Sequence, residues 1–498
     1  MLSLLTLCGC KTLYSTLSSS ILLLELLPAP FAGDGTAHYL KHTRMLSRIK
    51  KYLRITRHRT VITQRKDHTV SRALIDPNAL KVLHRLNRAG YTAYLVGGGV
   101  RDLLLGRTPK DFDISTSAHP HEIKDLFRNC MLIGRRFRLA HIRFRDMIIE
   151  TSTFRRPGSH DPDADTHGRH AKHKRTNTFG TPEEDVQMRD FTINGLFYDI
   201  KNFTVIDYVG GQKDLERGLI RCIGNPNKRF PDDPVRMLRA IRFASRLGFS
   251  IEKKTLRAIV KHRAELKNAA PARLIEEIYR FFGFRTGQAA FRLLAETKIL
   301  PILLPTLDKQ LRAAPSSNPS LWKYLEAFDK MKPGEGVQRE AAIITALAYP
   351  LFEARLQNNF DRDKAVQHQD LAREVLREFQ GTLPVPRRVV DSLTRAFDAQ
   401  RRFENPKARF SKKRFVLQSS FPQALFVREM VLRARGGNTG ELKKWINLKE
   451  DFLKKDAENG TSNPHDAVPP TAKPAARKRR RRRRKPAGSS ETPRTTNS

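Results

Sequence analysis

The apolar positions of this chain fall into two regimes. Leu80, Leu83 and Leu86 recur at helical spacing between Asp76 and Gly90, behind an aspartate suited to an N-cap and a proline suited to the first turn, which predicts a helix. Tyr91 to Val96 reads as a strand that enters Gly97, Gly98 and Gly99 and leaves into a short apolar helix ending at Gly106. A helix from about His121 to Arg128 and strand-like runs from Leu139 to Phe144 and Met147 to Phe154 complete a small mixed α/β sheet. After Gly210-Gly211 the period becomes that of helices. Asp233-Pro234 opens one whose stripe is Met237, Leu238, Ile241, Ala244 and Leu247, closed by Gly248. Further helical patterns run from Pro271 to Glu296, Leu321 to Met331, Arg339 to Leu351, Leu371 to Phe379, Arg387 to Phe403 and Pro422 to Glu450. The expected class is α+β: a mixed-sheet head over 73–210, a helical neck over 211–270 and a helical body over 271–455.

Elsewhere the pattern fails. Arg155 to Glu184 is polar and without periodicity, and loops of that length are usually functional or disordered. His167, His170 and His173 fall three apart within it; in so polar a stretch they read as solvated side chains, not metal ligands. From about Asp456 the composition shifts to Pro, Ala, Ser, Thr and charge, so 456–498 reads as a disordered tail. Residues 1–72 read as a poorly ordered extension. Its apolar runs, Leu2 to Leu7 and Ile21 to Leu27, are divided by Lys11 and Ser15 to Ser20, and neither reaches the roughly 20 residues that span a bilayer. No basic region precedes the first run, as a secretory signal requires, and Met45 opens a basic segment that would serve as a start as well as Met1.

Charge narrows the partners. Lys plus Arg number 93 against 51 Asp plus Glu, a formal charge of +42 over 498 residues, which draws polyanions: nucleic acid first, membrane phosphate second. The tail contains nine consecutive basic residues, Arg477, Lys478, Arg479, Arg480, Arg481, Arg482, Arg483, Arg484 and Lys485, whose mutual repulsion points to an anionic partner and sequence-independent RNA binding. Cys8, Cys10, Cys130 and Cys222 form neither a pairing framework nor a zinc spacing, which suits a reducing, cytoplasmic setting.

The candidate chemistry lies between Gly97 and Asp113. Alternate residues of a strand face the same way, so Asp111 and Asp113 point together while Phe112 points to the core. Two adjacent carboxylates repel, a cost usually offset by a hard divalent cation. Glycines without Cβ let backbone N–H groups approach a polyphosphate, helped by the start of the following helix. Together these residues describe a site for Mg²⁺ and a nucleoside triphosphate.

With Arg101-Asp102, Arg107 and Lys110 between glycines and aspartates, this stretch resembles the signature of the class II nucleotidyltransferases, the family of CCA-adding tRNA enzymes and bacterial poly(A) polymerases. The resemblance covers about Tyr91 to Phe249. It implies two-metal nucleotidyl transfer, with Asp111, Asp113 and Glu150 as metal ligands, two Mg²⁺ ions (Mn²⁺ as an alternative) and ATP as substrate. It further implies nucleotide contacts from Gly97, Gly98, Gly99, Arg101, Arg155, Arg189, Asp190 and Asn194, and base selection by Asp233 and Arg236, with Arg239 in the same set. It makes the stretch from Arg155 to Glu184 the flexible loop of the catalytic head. Family members commonly carry Arg where this chain has Met188, Ala where it has Gly195, and Glu where it has Asp232.

The segment from Leu132 to Ile142 resembles the one that separates bacterial poly(A) polymerases from their CCA-adding relatives, and the polybasic tail agrees with that side. The expected activity is template-independent addition of AMP to RNA 3′ ends. CCA addition to tRNA and an inactive RNA-binding protein are the rival expectations. By resemblance the chain is a monomer whose partners include RNA-decay machinery and RNA chaperones.

Overall fold

The helix expected between Asp76 and Gly90 forms as α1 (Pro77–Arg88), with the Asp76 carboxylate accepting from the Asn78 N–H at 2.7 Å and Val82, Leu83 and Leu86 buried. It opens the fold seen in a computed structural model that describes residues 59–134, 139–156, 179–313, 320–360, 368–406 and 409–458. The chain divides into two units, Met1–Ala270 and Pro271–Ser498.

The first unit is built on one mixed sheet of eight strands: β1 (Val61–Thr63), β2 (Ala93–Val96), β3 (Asp113–Thr116), β4 (Cys130–Ile133), β5 (Leu139–Arg143), β6 (Ile148–Thr153), β7 (Leu196–Asp199) and β8 (Thr204–Asp207). Their order is β1-β8-β7-β2-β3-β6-β5-β4, and every pairing is antiparallel except β3 with β6. β1 lies inside the segment expected to be a poorly ordered extension. Its register, Val61 opposite Asp207, ties residues 61–63 to the edge of the head. β7 and β8 were not legible as strands: all four residues of each are buried, so neither shows the alternation that marks a half-exposed strand.

Helices frame this sheet. α2 (Gly98–Leu104) follows β2, α3 (Pro120–Leu126) packs on β4 and β5, and α4 (Pro182–Met188) precedes β7. Then come α5 (Gly211–Glu216), α6 (Pro226–Asp232), α7 (Val235–Leu247) and α8 (Lys253–His262). α7 carries the expected stripe and ends at Gly248, whose φ of 74° closes it in the left-handed region. It begins one residue after Pro234, so Asp233 terminates α6 and does not cap α7. Val96, Phe154, Val186, Phe197, Ile206, Val209 and Ile223 form a core cluster under the sheet centre, with Tyr94 and Tyr208 against it.

The second unit is helical throughout its described residues. The pattern from Pro271 to Glu296 resolves into α9 (Pro271–Phe281) and α10 (Gly287–Glu296), separated at Arg285, whose φ is 59°. Tyr324, Tyr349, Phe352 and Phe397 pack ring to ring in its core, and the Tyr324 hydroxyl donates to Glu353 at 2.7 Å. No helix among the described residues is long and apolar enough to cross a membrane. The basic run 477–485 and the three histidines at 167, 170 and 173 lie outside the described residues.

Candidate active site

β3 begins at Asp113; Asp111 stands two residues earlier in irregular chain, exposed, while Phe112 turns into the core as alternation requires. Ile114 pairs in parallel with Thr151, so one step earlier Asp113 stands beside Glu150 of β6. Burial pushes the Asp113 carboxyl up, and the neighbouring carboxylates of Glu150 and Asp111 push it further, against a pull from Arg189, so that it rests at about 6. Across the next pairing, the His141 ring nitrogen lies 3.7 Å from the Glu150 carboxylate, half of which is exposed. Among the described residues no three His, Cys, Asp or Glu side chains converge as a ready-made metal cluster. Asp111 and Glu150 are nevertheless both close enough to raise the Asp113 carboxyl.

The glycine turn lies next to this pair. Gly97 has φ 71° and ψ −131°, a conformation side chains strongly disfavour, and a Cβ there would lie 3.2 Å from Arg189 Nη1 and 4.0 Å from Asp113 Oδ2. Gly98 and Gly99 have only ordinary contacts where a Cβ would stand, so Gly97 alone must be glycine.

Arg189 is held from below. Its Nε and Nη2 donate to Asp185 Oδ2 at 3.2 and 2.9 Å, Nη2 also donates to Ser115 Oγ at 3.0 Å, and the guanidinium lies 5.2 Å from the Phe197 ring centre. The other Asp185 oxygen accepts from Arg155 Nε at 2.9 Å and from the Arg155 backbone at 3.2 Å. Burial would raise the Asp185 carboxyl, but the two guanidiniums outweigh it and hold it below the usual carboxylate range. Asp185 received no role from the sequence alone. Its place four residues before Arg189 on a helix was the available signal.

Arg101, expected on the nucleotide, is instead 1% exposed: Nε and Nη2 donate to Asp102 Oδ1 at 2.9 and 2.7 Å and Nη1 to Asn194 Oδ1 at 2.6 Å. Asn194 in turn donates to Asp190 at 3.0 Å, and Asp190 pairs with Arg239, Nη2 to Oδ2 at 2.6 Å. Arg101 and Arg239 both lie within 5.5 Å of the Phe243 ring centre. Arg246 of α7 closes the network on Asp102 at 2.9 Å. Asp190, Asn194, Arg101 and half-buried Arg239 therefore form a frame joining α2, the turn before β7, and α7. Asp102, part of the signature but given no role by it, and Arg246, unmarked in the sequence, belong to the same frame.

Asp233 and Arg236 form the expected pair, 3.8 Å apart and partly exposed, with Arg236 also reaching the Met188 carbonyl at 3.5 Å. Arg229, unmarked in the sequence, donates to the Met188 and Arg189 carbonyls at 3.1 and 2.7 Å and so fixes the backbone carrying Arg189.

Residues 93–221 match the poly A polymerase head domain, and residues 248–311 match the probable RNA- and SrmB-binding site of polymerase A. Poly(A) polymerase I of Escherichia coli O6:H1 is 49% identical over 260 residues, 51% of this chain and 56% of that protein. The CCA-adding enzyme of Lactobacillus johnsonii is 32% identical over 311 residues and is covered over 75% of its length. The chain belongs to the class II nucleotidyltransferases. Within that family it spans about half the length of the curated poly(A) polymerases it matches. A solved relative, the Bacillus stearothermophilus CCA-adding enzyme in complex with CTP, superposes with a TM-score of 0.56 at 28% identity, over 77% of this chain and 83% of the other. The nucleotidyltransferase signature from Gly97 to Asp113 thus coincides with a place in the head where a glycine turn, two neighbouring carboxylates and a braced arginine meet.

Proposed function

We propose that this chain moves AMP from ATP onto RNA 3′ ends without a template, releasing pyrophosphate. The observation carrying this reading is the juxtaposition of Asp113 and Glu150 with Gly97 and the Asp185-braced Arg189. The choice of ATP is supported by identities of 44–51% to poly(A) polymerases, against 32–36% to the CCA-adding enzymes.

A divalent cation fits the donor set. A carboxyl pushed up to about 6 by burial and then by its acidic neighbours is relieved by a cation held through oxygen. Asp111, Asp113 and Glu150 would hold two Mg²⁺, Mn²⁺ being an alternative. When bound, such ions make the terminal hydroxyl a better nucleophile and offset charge on the leaving pyrophosphate.

The chain's own groups bind and orient. Arg189 Nη1 faces the Gly97 turn and offers positive charge to a phosphate that the missing Cβ lets close. Arg155, on the other oxygen of Asp185, adds a second guanidinium at the base of the segment 157–178. The Asp233 carboxylate accepts and the Arg236 guanidinium donates, a pairing able to read an adenine edge. RNA affinity comes from the basic surplus, and a cytoplasmic setting, a monomeric state and recruitment by RNA-decay partners belong to the same reading.

CCA addition is the second reading, favoured by the 75% coverage of the Lactobacillus johnsonii enzyme. Purified chain with Mg²⁺, each triphosphate in turn, and either a short unstructured RNA or a tRNA lacking its terminus separates the two. Long extension of the generic RNA with ATP alone is the expected result. CTP incorporation confined to the tRNA would replace AMP addition with CCA addition, and no transfer at all would leave an RNA-binding protein.

A further inference from the structure

The sheet face carrying Asp113 and Glu150 continues past them, and what it presents is not polar. Directly opposed residues on paired strands share a face, so the registers Glu150 with His141 and His141 with Met131 draw a row from the carboxylates to the edge of the sheet. Beside that row stand Ile148, opposite Arg143, and Ile133. Met131, Ile133 and Ile148 are 41%, 39% and 45% exposed, three of the nine large apolar side chains that stand exposed among the described residues. The opposite face of the same strands is sealed: Ala140, Ile142, Ile149 and Thr151 are wholly buried.

The topology says which reactant this face should receive. The Gly97 turn follows β2, and Arg189 bonds to Ser115 of β3 and lies over Phe197 of β7. The groups suited to phosphate thus occupy the β7-β2-β3 side of Asp113, and the apolar platform the β5-β4 side. In an in-line displacement the attacking oxygen and the leaving pyrophosphate lie on opposite sides of the reacting phosphorus. With triphosphate over β2 and β3, the attacking hydroxyl arrives from β6, β5 and β4. Three strand spacings, about 14 Å, separate β3 from β4, enough for the last bases of a single strand laid across them.

We infer that the exposed face of β4, β5 and β6 is the acceptor platform, on which the 3′-terminal bases of RNA stack against Met131, Ile133 and Ile148 while Arg143 meets the backbone. This rests on the transfer reading above and adds to it where the acceptor lies. Apolar and thioether side chains suit the face of any base, and such stacking is indifferent to sequence.

The test uses the full chain with Mg²⁺, ATP and two short RNAs, one intact and one whose 3′-terminal residue is abasic but keeps its 3′-hydroxyl. An abasic end loses its apolar contact with Met131, Ile133 and Ile148, so wild type should prefer the intact acceptor by about tenfold in kcat/KM, about 1.4 kcal/mol. In the double variant Met131→Ser, Ile133→Ser, the KM for RNA should rise about tenfold, the KM for ATP should hold, and the preference over the abasic acceptor should collapse. Independently, 4-thiouridine at the 3′ end should crosslink the unsubstituted chain within 131–148. A wild type that extends RNA, with a variant keeping both the wild-type KM for RNA and the abasic discrimination, overturns the platform alone. Crosslinks confined to residues outside β4–β6 do the same. A wild type that transfers nothing overturns the transfer reading with it.

Discussion

Asp190 is a charged residue beside the site whose carboxylate is held by groups of the protein itself. Burial alone would raise its carboxyl, but Arg239, the Asn194 amide and the Phe191 N–H together hold it at about 2. An unfolded aspartate titrates near 3.9, so between those values the unfolded chain binds more protons and stability rises with pH. The contribution is complete above about pH 4 and is lost as pH falls through about 2. Asp190→Asn should therefore cost about 2–3 kcal/mol at neutral pH by urea unfolding, and the gap to wild type should narrow as pH falls from about 5 to 2. A gap that stays constant with pH would mean the Arg239 pair contributes nothing. Asp113 makes the contrasting case: Asp113→Ala should reduce AMP transfer by about a thousandfold while leaving salt-sensitive RNA binding intact, read by extension assay and filter binding. Gly97→Ala adds strain at φ 71° and a methyl 3.2 Å from Arg189 Nη1, so it should cost about 1–3 kcal/mol and raise the KM for ATP. Gly98→Ala, with its nearest neighbour at 3.5 Å, should be close to neutral for stability.

Among the elements, legibility followed exposure. α1 could be read because one face is buried and the other wet, which imprints the helical period, and α7 because half-buried Arg236, Arg239, Ser245 and Arg246 interrupt its buried stripe; β5 and β6 alternate for the same reason as α1. β7 and β8 are covered on both faces and lose that imprint. Helix ends in the second unit were read less well: the pattern from Arg387 to Phe403 breaks after Asp398, and the helix beginning at Arg339 runs through Pro350 to Phe360, nine residues beyond the expected end at Leu351. At the site, motif spacing located Gly97, Asp113 and Glu150, whereas the roles of Asp185, Asp102, Arg229 and Arg246 emerged only when distant segments met. The clearest such link is Arg246 of α7 on Asp102 of α2, 144 positions apart in sequence. Asp102 has two arginine partners, so Arg246→Met leaves a buried carboxylate with only Arg101. The expected cost is about 2–4 kcal/mol in urea unfolding, with a raised KM for ATP as α7, which bears Arg236, loosens. Unchanged stability would detach α7 from the frame.

At the scale of the whole molecule, the surplus of 93 basic over 51 acidic residues has to be divided between a sequence-blind grip on RNA and the chemistry of the head. The nine basic residues from Arg477 to Lys485 can be removed without touching any residue of the site, so the two contributions separate experimentally. Each phosphate neutralised on a single strand adds about −0.7 to the slope of log K against log salt. If all nine contact phosphate, deleting 477–485 should flatten that slope by up to about 6, since 0.7 × 9 is about 6. The kcat for AMP addition at saturating RNA and low salt should be preserved, because Arg189 is held by Asp185 and Ser115 of the head. Fluorescence anisotropy across a salt series measures the slope, and extension assays at saturating RNA measure the rate. A slope unchanged by the deletion would place the RNA grip in the rest of the chain, and a lost kcat would give the tail a part in transfer that charge alone does not predict.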